Sequence, residues 1–146
     1  MGYIYNPQNW KQCKIIGKAI AEEFRKSFPD GVVNYKYYFF RKNRLSLVEI
    51  LLEYEGLEVV ITVKDTEYWA LPFVYMDSIE TEGESRGKGL STKVMNSLQS
   101  LVKNGVFKHL NIKDLNYTFW TKMEERYDFL RFKNYGGNVE KEYMEG

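Results

Sequence analysis

The residues whose types and spacing could do chemistry cluster between positions 77 and 91 of this 146-residue chain. The stretch Thr81 to Val94, TEGESRGKGLSTKV, joins a strand-like run to a helix-like run. A helix start leaves its first N–H groups unpaired, with a partial positive charge behind them. Gly87 and Gly89 remove side chains, so a ligand can approach the backbone, while Arg86 and Lys88 add fixed positive charge. That combination suits an anion, and phosphate best. It is not a Walker A loop, because Gly83 lies one residue too close to Gly87-Lys88 and Gly89 follows the lysine. It is not the Rossmann fingerprint either, since Thr92 stands where the third glycine belongs. The plainer alternative is a solvated basic turn with two conformational glycines. The order strand, loop, helix, short strand around it favours the anion site.

Three carboxylates, Asp77, Glu80 and Glu82, lie on or beside the strand that enters this loop. Strict alternation puts Asp77 on one face with Tyr75 and Ile79, and Glu80 on the other. Each of them taken singly reads as a solvated strand-end acid. As a group they are the available proton acceptors next to the phosphate-like loop.

The elements that must position these residues can be read from periodicity. Asn6 and Pro7 predict a helix start. Trp10, Cys13, Ile16, Ile20 and Phe24 then form one apolar stripe that Pro29-Asp30-Gly31 ends. Three alternating runs follow: Val33 to Phe39, Leu45 to Tyr54 and Leu57 to Val63. Arg41 to Arg44 and Glu55-Gly56 are the turns between them, so the three runs predict an antiparallel meander. Phe73 to Thr81 is a fourth strand. Ser91 to Asn104 is an amphipathic helix capped by Gly105. Val106 to Ile112 is a short strand, and Asn116 to about Asp128 a helix. Phe129 to Tyr135 and Asn138 to Met144 make a terminal hairpin around Gly136-Gly137. The expected architecture is a single domain over residues 1–146, α/β in the broad sense (α+β), with a mixed, mostly antiparallel central sheet flanked by helices.

Composition narrows the function classes. Apolar residues make up 44% and charged residues 28%, which predicts a folded globular chain. A net charge of +1 gives no broad basic footprint for nucleic acid. Nucleic-acid binding through Arg41, Lys42, Arg44 and nearby aromatics is therefore the weakest reading. One cysteine, Cys13, rules out an internal disulfide, and one histidine, His109, argues against a zinc site, so no metal is expected. Cys13 reads as core and His109 as a structural hydrogen-bonding residue. No apolar run approaches membrane-spanning length and the N-terminal residues show no signal pattern, so the expected location is cytoplasmic.

Arg86-Gly87-Lys88-Gly89-Leu90-Ser91 resembles the R/Q-x-x-G-x-G/A loop of the GNAT superfamily, the acyl-CoA-dependent N-acetyltransferases. Ser91 stands where that family usually has Gly or Ala. Phe119-Trp120-Thr121-Lys122-Met123 is similar to the family's Phe-Tyr-x-Lys-Leu segment, with Trp120 at the usual tyrosine position. The glycine-phenylalanine pair that normally closes that segment is replaced by Glu124-Glu125. The resemblance runs from about Phe73 to Tyr127. The first 70 residues depart from it, because a helix precedes all the strands.

The resemblance implies a GNAT-like fold and an enzyme that transfers an acetyl group from acetyl-CoA, as co-substrate, to an amine by direct attack. The backbone N–H groups of Arg86, Gly87, Lys88, Gly89, Leu90 and Ser91 would bind the CoA diphosphate. The backbone of Ile79 and Thr81 would pair with the pantetheine arm. A splay between the fourth strand and the Val106–Ile112 strand would admit the thioester. Glu80 and Asp77, ahead of Glu82, are the candidate bases. Because Trp120 has no useful acidity, Tyr127 or Tyr117 would have to replace the usual tyrosine acid. The expected partners are a CoA thioester and an amine acceptor, protein or small molecule, with a homodimer through the terminal hairpin also open. The alternative is a non-catalytic binding protein on the same scaffold, using the aromatic run Tyr35 to Phe40.

Overall fold

The structure is a computed structural model that describes residues 7–42, 45–65 and 72–132. The chain folds as α1 (Pro7–Ser27), β1 (Val32–Phe40), β2 (Leu45–Tyr54), β3 (Leu57–Lys64), β4 (Phe73–Thr81), α2 (Leu90–Lys103), β5 (Leu110–Ile112), α3 (Tyr117–Arg126) and β6 (Leu130–Arg131), with a 3-10 turn at Gly83–Ser85. The six strands form one mixed sheet in the order β1-β2-β3-β4-β5-β6. The first three pairings are antiparallel, and β4-β5 and β5-β6 are parallel. The class is therefore α+β with a mixed sheet.

One face of the sheet carries the core. Cys13, Ile16, Ile20 and Phe24 of α1 are buried against Val48, Ile50 and Leu52 of β2 and Val59, Ile61 and Val63 of β3. Val94, Met95 and Leu98 of α2 and Trp120 and Met123 of α3 extend the same cluster over Val74, Met76, Leu110 and Ile112. The apolar stripes of all three helices thus meet one side of the sheet, as amphipathic periodicity requires. Gly17 lets α1 lie close: a Cβ there would stand 2.5 Å from Val48 Cγ1.

Several boundaries differ from the periodic reading. Val106 to His109 is not strand, because the end of α2 uses it. Gly105, at φ +79, donates its N–H to Val102 O and Val106 donates to Leu101 O. That is a Schellman cap, which turns the chain before β5 can start. Asn116 caps α3 by accepting from the Phe119 N–H, so the helix starts one residue later than Asn116. Leu130–Arg131 is the described part of the expected terminal hairpin, and it pairs parallel to β5. The hairpin's turn and second strand lie outside the described residues, as do the Asn6 cap, the Trp10 side chain and Arg44.

The largest departure is in β4. Val60 pairs with Ser78, but Ile61 pairs with Met76, so Asp77 is an extra residue in β4. A bulge of this kind turns every later side chain to the opposite face. Ile79 consequently pairs with Val59 and packs on the core side, while Glu80 pairs with Glu58 on the opposite face. The expected grouping of Asp77 with Ile79, and of Glu80 against them, is corrected. Asp77 accepts a hydrogen bond from the Thr62 hydroxyl, and Thr62 lies on that opposite face with Tyr75. Asp77 and Glu80 therefore share that face.

Candidate functional site

The loop after β4 is open. Gly87 and Gly89 have φ of +82 and +75, values that favour glycine, and a Cβ built at either would meet nothing within 4 Å. Gly89 is the N-cap of α2, and no side chain caps that helix. The N–H groups of Gly87 and of Gly89 to Thr92 have no backbone acceptor among the described residues, Lys88 closes the turn over Arg86-Gly87, and the first intrahelical closure is Lys93 N–H to Gly89 O. Arg86, Gly87, Lys88 and Gly89 are exposed, and Leu90 and Ser91 are half-buried. Arg86 folds back so that its Nε donates to Thr81 O at 3.3 Å, which holds a guanidinium at the base of the loop. Exposed N–H groups at an uncapped helix start, with Arg86 and Lys88 beside them, have the electrostatics to accept an anion.

Next to this loop the sheet forks. β4 and β5 pair only at Val74↔Leu110, Tyr75↔Asn111 and Met76↔Ile112, and the Lys113 N–H donates to Met76 O at 2.9 Å. Beyond that point β4 runs on from Asp77 to Thr81 with no strand on its β5 side among the described residues. Glu82 N–H donates back to Gly56 O in the hairpin turn before β3. Because backbone groups alternate along a strand, the N–H and C=O of Ile79 and Thr81 then point away from β3, towards the fork. The fork, the loop and the start of α2 all lie at the carboxyl end of β4.

The other sequence-predicted residues divide between this region and elsewhere. Asp77 is half-buried at the root of the fork. Lys113, directly across, places its ammonium 4.0 Å from the centre of the Tyr75 ring, a cation–π contact. Glu80 and Glu82 are exposed further along, and Glu82 lines a groove of about 460 Å³ with Asp30, Glu53, Glu55 and Glu58. The negative field there is visible in Tyr54, whose phenol is raised first by the Glu55 carboxylate, then by burial and by Asp30. Tyr117, at the start of α3, is exposed and packs edge-on to Phe132, beyond the carboxyl end of β6. It lies at the same end of the sheet as the fork's mouth, the carboxyl ends of β4, β5 and β6. Tyr127 does not: it caps the far end of α3, about 15 Å of helix away. It is buried, and its hydroxyl donates to Asn96 Oδ1 of α2 at 2.9 Å.

Trp120 is fully buried, and its indole N–H donates to Asp114 Oδ2 at 2.8 Å. His109 precedes β5, at the end opposite the fork, with Nε2 2.8 Å from an Arg131 guanidinium nitrogen. Burial, then Arg131 and Lys108, lower its pKa below the ordinary 6.5. Cys13 is buried and its thiol is pushed up to about 12 by burial and by Asp65.

Sequence reasoning missed Thr62 and Lys113. Thr62 is one of three polar residues, with Glu58 and Lys64, on the outer face of β3, and only the bulge shows which carboxylate it reaches. Among the described residues no three His, Cys, Asp or Glu side chains gather where they could hold a metal ion, and no helix is long and apolar enough to cross a membrane. Comparison of the chain with family models, with curated proteins and with solved structures finds no match.

Proposed function

We propose that the protein binds an acyl-CoA at the carboxyl end of β4 and transfers its acetyl group to an amine. The observation that carries this reading is the junction itself. An uncapped helix start follows two open glycines and two cations, beside a strand edge whose backbone faces an unpaired fork. The fit to acetyl-CoA is specific in kind. The N–H groups of Gly87 to Ser91, with Arg86 and Lys88, would hold the diphosphate. The Ile79 and Thr81 backbone would pair with the amide-bearing arm as a further strand does. Thr81 O already accepts from Arg86 Nε, so the arm shares that carbonyl or displaces the guanidinium onto phosphate.

In the reaction, the amine lone pair forms the new C–N bond, the C–S bond breaks, and the proton leaving nitrogen goes to a carboxylate. Asp77 is the base of choice: it sits at the root of the fork, and Thr62 fixes one of its oxygens while the other takes the proton. Glu80 is the second candidate on the same face. Tyr117, at the fork end of the sheet, is better placed than Tyr127 to return a proton to the departing thiolate. The acidic groove beyond Glu80 attracts a protonated amine.

A second reading keeps the ligand and drops the chemistry. Trp120 is buried, with its N–H committed to Asp114, and offers no acid at the fork. On that reading the chain is an acyl-CoA-responsive binding protein. Thermal stabilisation by acetyl-CoA that disappears in the Arg86→Glu, Gly89→Glu double variant supports both readings. Release of free thiol with a panel of primary amines, abolished in Asp77→Asn, supports the enzyme alone. No stabilisation of the parent by acetyl-CoA overturns both.

A further inference from the structure

The outer edge of β1 pairs with no strand among the described residues. Natural edge strands are usually protected by brevity, proline, a bulge or an outward charge, because an open edge recruits another strand. β1 has little such protection. It is nine residues long, has no proline, and keeps unbroken register with β2 from Val32↔Glu53 to Phe40↔Leu45. Val32, Tyr38, Phe39 and Phe40 are 40% to 57% exposed, and the Tyr38 and Phe40 rings stack with centroids 6.5 Å apart. The one charge within the strand, Lys36, stands opposite Glu49 of β2 and is offset by it.

The two ends of this edge carry opposite charge. Arg41 and Lys42, both exposed, follow Phe40. At the other end Asp30 precedes the strand, Glu53 is the cross-strand neighbour of Val32, and Glu58 is the next neighbour in that row. No acid lies between Val32 and Lys42. A strand that is positive at one end and bordered by acids at the other is complementary to an antiparallel copy of itself.

We propose that β1 is a docking edge for a second copy of this chain, with the two β1 strands paired antiparallel about a two-fold axis at Tyr37. An axis perpendicular to the sheet keeps each face on its own side, so opposed residues must have the same parity. The axis at Tyr37 sets Lys36 against the partner's Tyr38, Asn34 against the partner's Phe40, and Val32 against the partner's Lys42. An axis at Lys36 would oppose two lysines, which is unfavourable. An axis at Tyr38 would carry Lys42 past the acidic end to Asn34, whose neighbour is Leu51. With the axis at Tyr37, the partner's Lys42 and Glu53 flank Val32 in one row, two strand spacings or roughly 10 Å apart at Cα, a gap their long side chains can close. Symmetry repeats the contact, so the assembly closes as a dimer with a continuous sheet that joins the six described strands of each copy.

The test is sedimentation velocity on the full chain, from micromolar to near-millimolar concentration. The parent should sediment as a dimer. Arg41→Glu, Lys42→Glu and, separately, Asp30→Lys, Glu53→Lys should each raise the dissociation constant by roughly tenfold or more, since like charges then meet at both ends. The equimolar mixture of the two variants should form a heterodimer, because every reversed end meets its reversed counterpart. All four positions are exposed, so circular dichroism of each variant should match the parent. A parent that stays monomeric throughout overturns the proposal. So do dimers indifferent to both reversals, or well-folded variants whose mixture stays monomeric.

Discussion

Replacing Gly87 and Gly89 by alanine separates the cost to the fold from the cost to a ligand. Both glycines have φ near +80, where an L side chain is strained by roughly 1 kcal/mol or somewhat more each. Neither added Cβ would meet an atom within 4 Å, so there is no steric cost on top of the backbone strain. The double variant should therefore lose about 2 to 3 kcal/mol of stability, which for a domain of this size lowers Tm by very roughly 4 to 12 °C. The ligand effect is a separate quantity. At a concentration of acetyl-CoA about 100 times its Kd, the parent gains about 2.7 kcal/mol. Methyl groups in the cradle should weaken binding about tenfold or more, cutting that gain to about 1.4 kcal/mol or less. Differential scanning fluorimetry with and without acetyl-CoA reads both numbers. A variant that shows the expected loss of Tm but the full parental ligand shift would refute the placement of the diphosphate on this loop.

Four other outcomes follow from the structure. Gly17→Val should cost on the order of 1 to 3 kcal/mol by overpacking against Val48, read by urea denaturation, and should leave ligand binding unchanged. Thr62→Val should reduce turnover without weakening acetyl-CoA binding, because its hydroxyl positions Asp77 and faces no part of the loop. His109 resists protonation in the folded chain while the unfolded chain accepts a proton below pH 6.5. Stability should accordingly fall as pH drops through 6.5 towards the lower folded value, and His109→Gln should flatten that slope in pH-dependent denaturation. Cys13, with its thiol raised to about 12, should resist alkylating reagents at pH 8 to about 9 until the chain is unfolded, when it should react at once.

Much of the architecture was legible because local signals agreed with one another. Pro72 and Gly83 bracket β4, and its bounds, Phe73–Thr81, are those the alternation gives. The glycines, the cations and the helix start of the loop likewise follow from residue types at fixed positions. The bulge was not legible, since a period of two carries no mark of one extra residue until the partner strand is known. That single residue reverses the faces of Ile79 and Glu80 and brings Asp77 and Glu80, the two leading candidate bases, to one side. β5 was overread because Val106 to His109 has strand-like residues. The Schellman hydrogen bonds of Gly105 and Val106 use that segment first. The fork was expected only from the resemblance; in physical terms it follows from the shortness of β5, three residues against the nine of β4.

The most direct test is amide-resolved NMR of the labelled chain titrated with CoA. The account predicts saturable shifts at the N–H groups of Gly87, Lys88, Gly89, Leu90 and Ser91, joined by Ile79 and Thr81, with β1 and the far end of α3 unmoved. A titration that leaves those seven amides in place, or that shifts a different region instead, would contradict it.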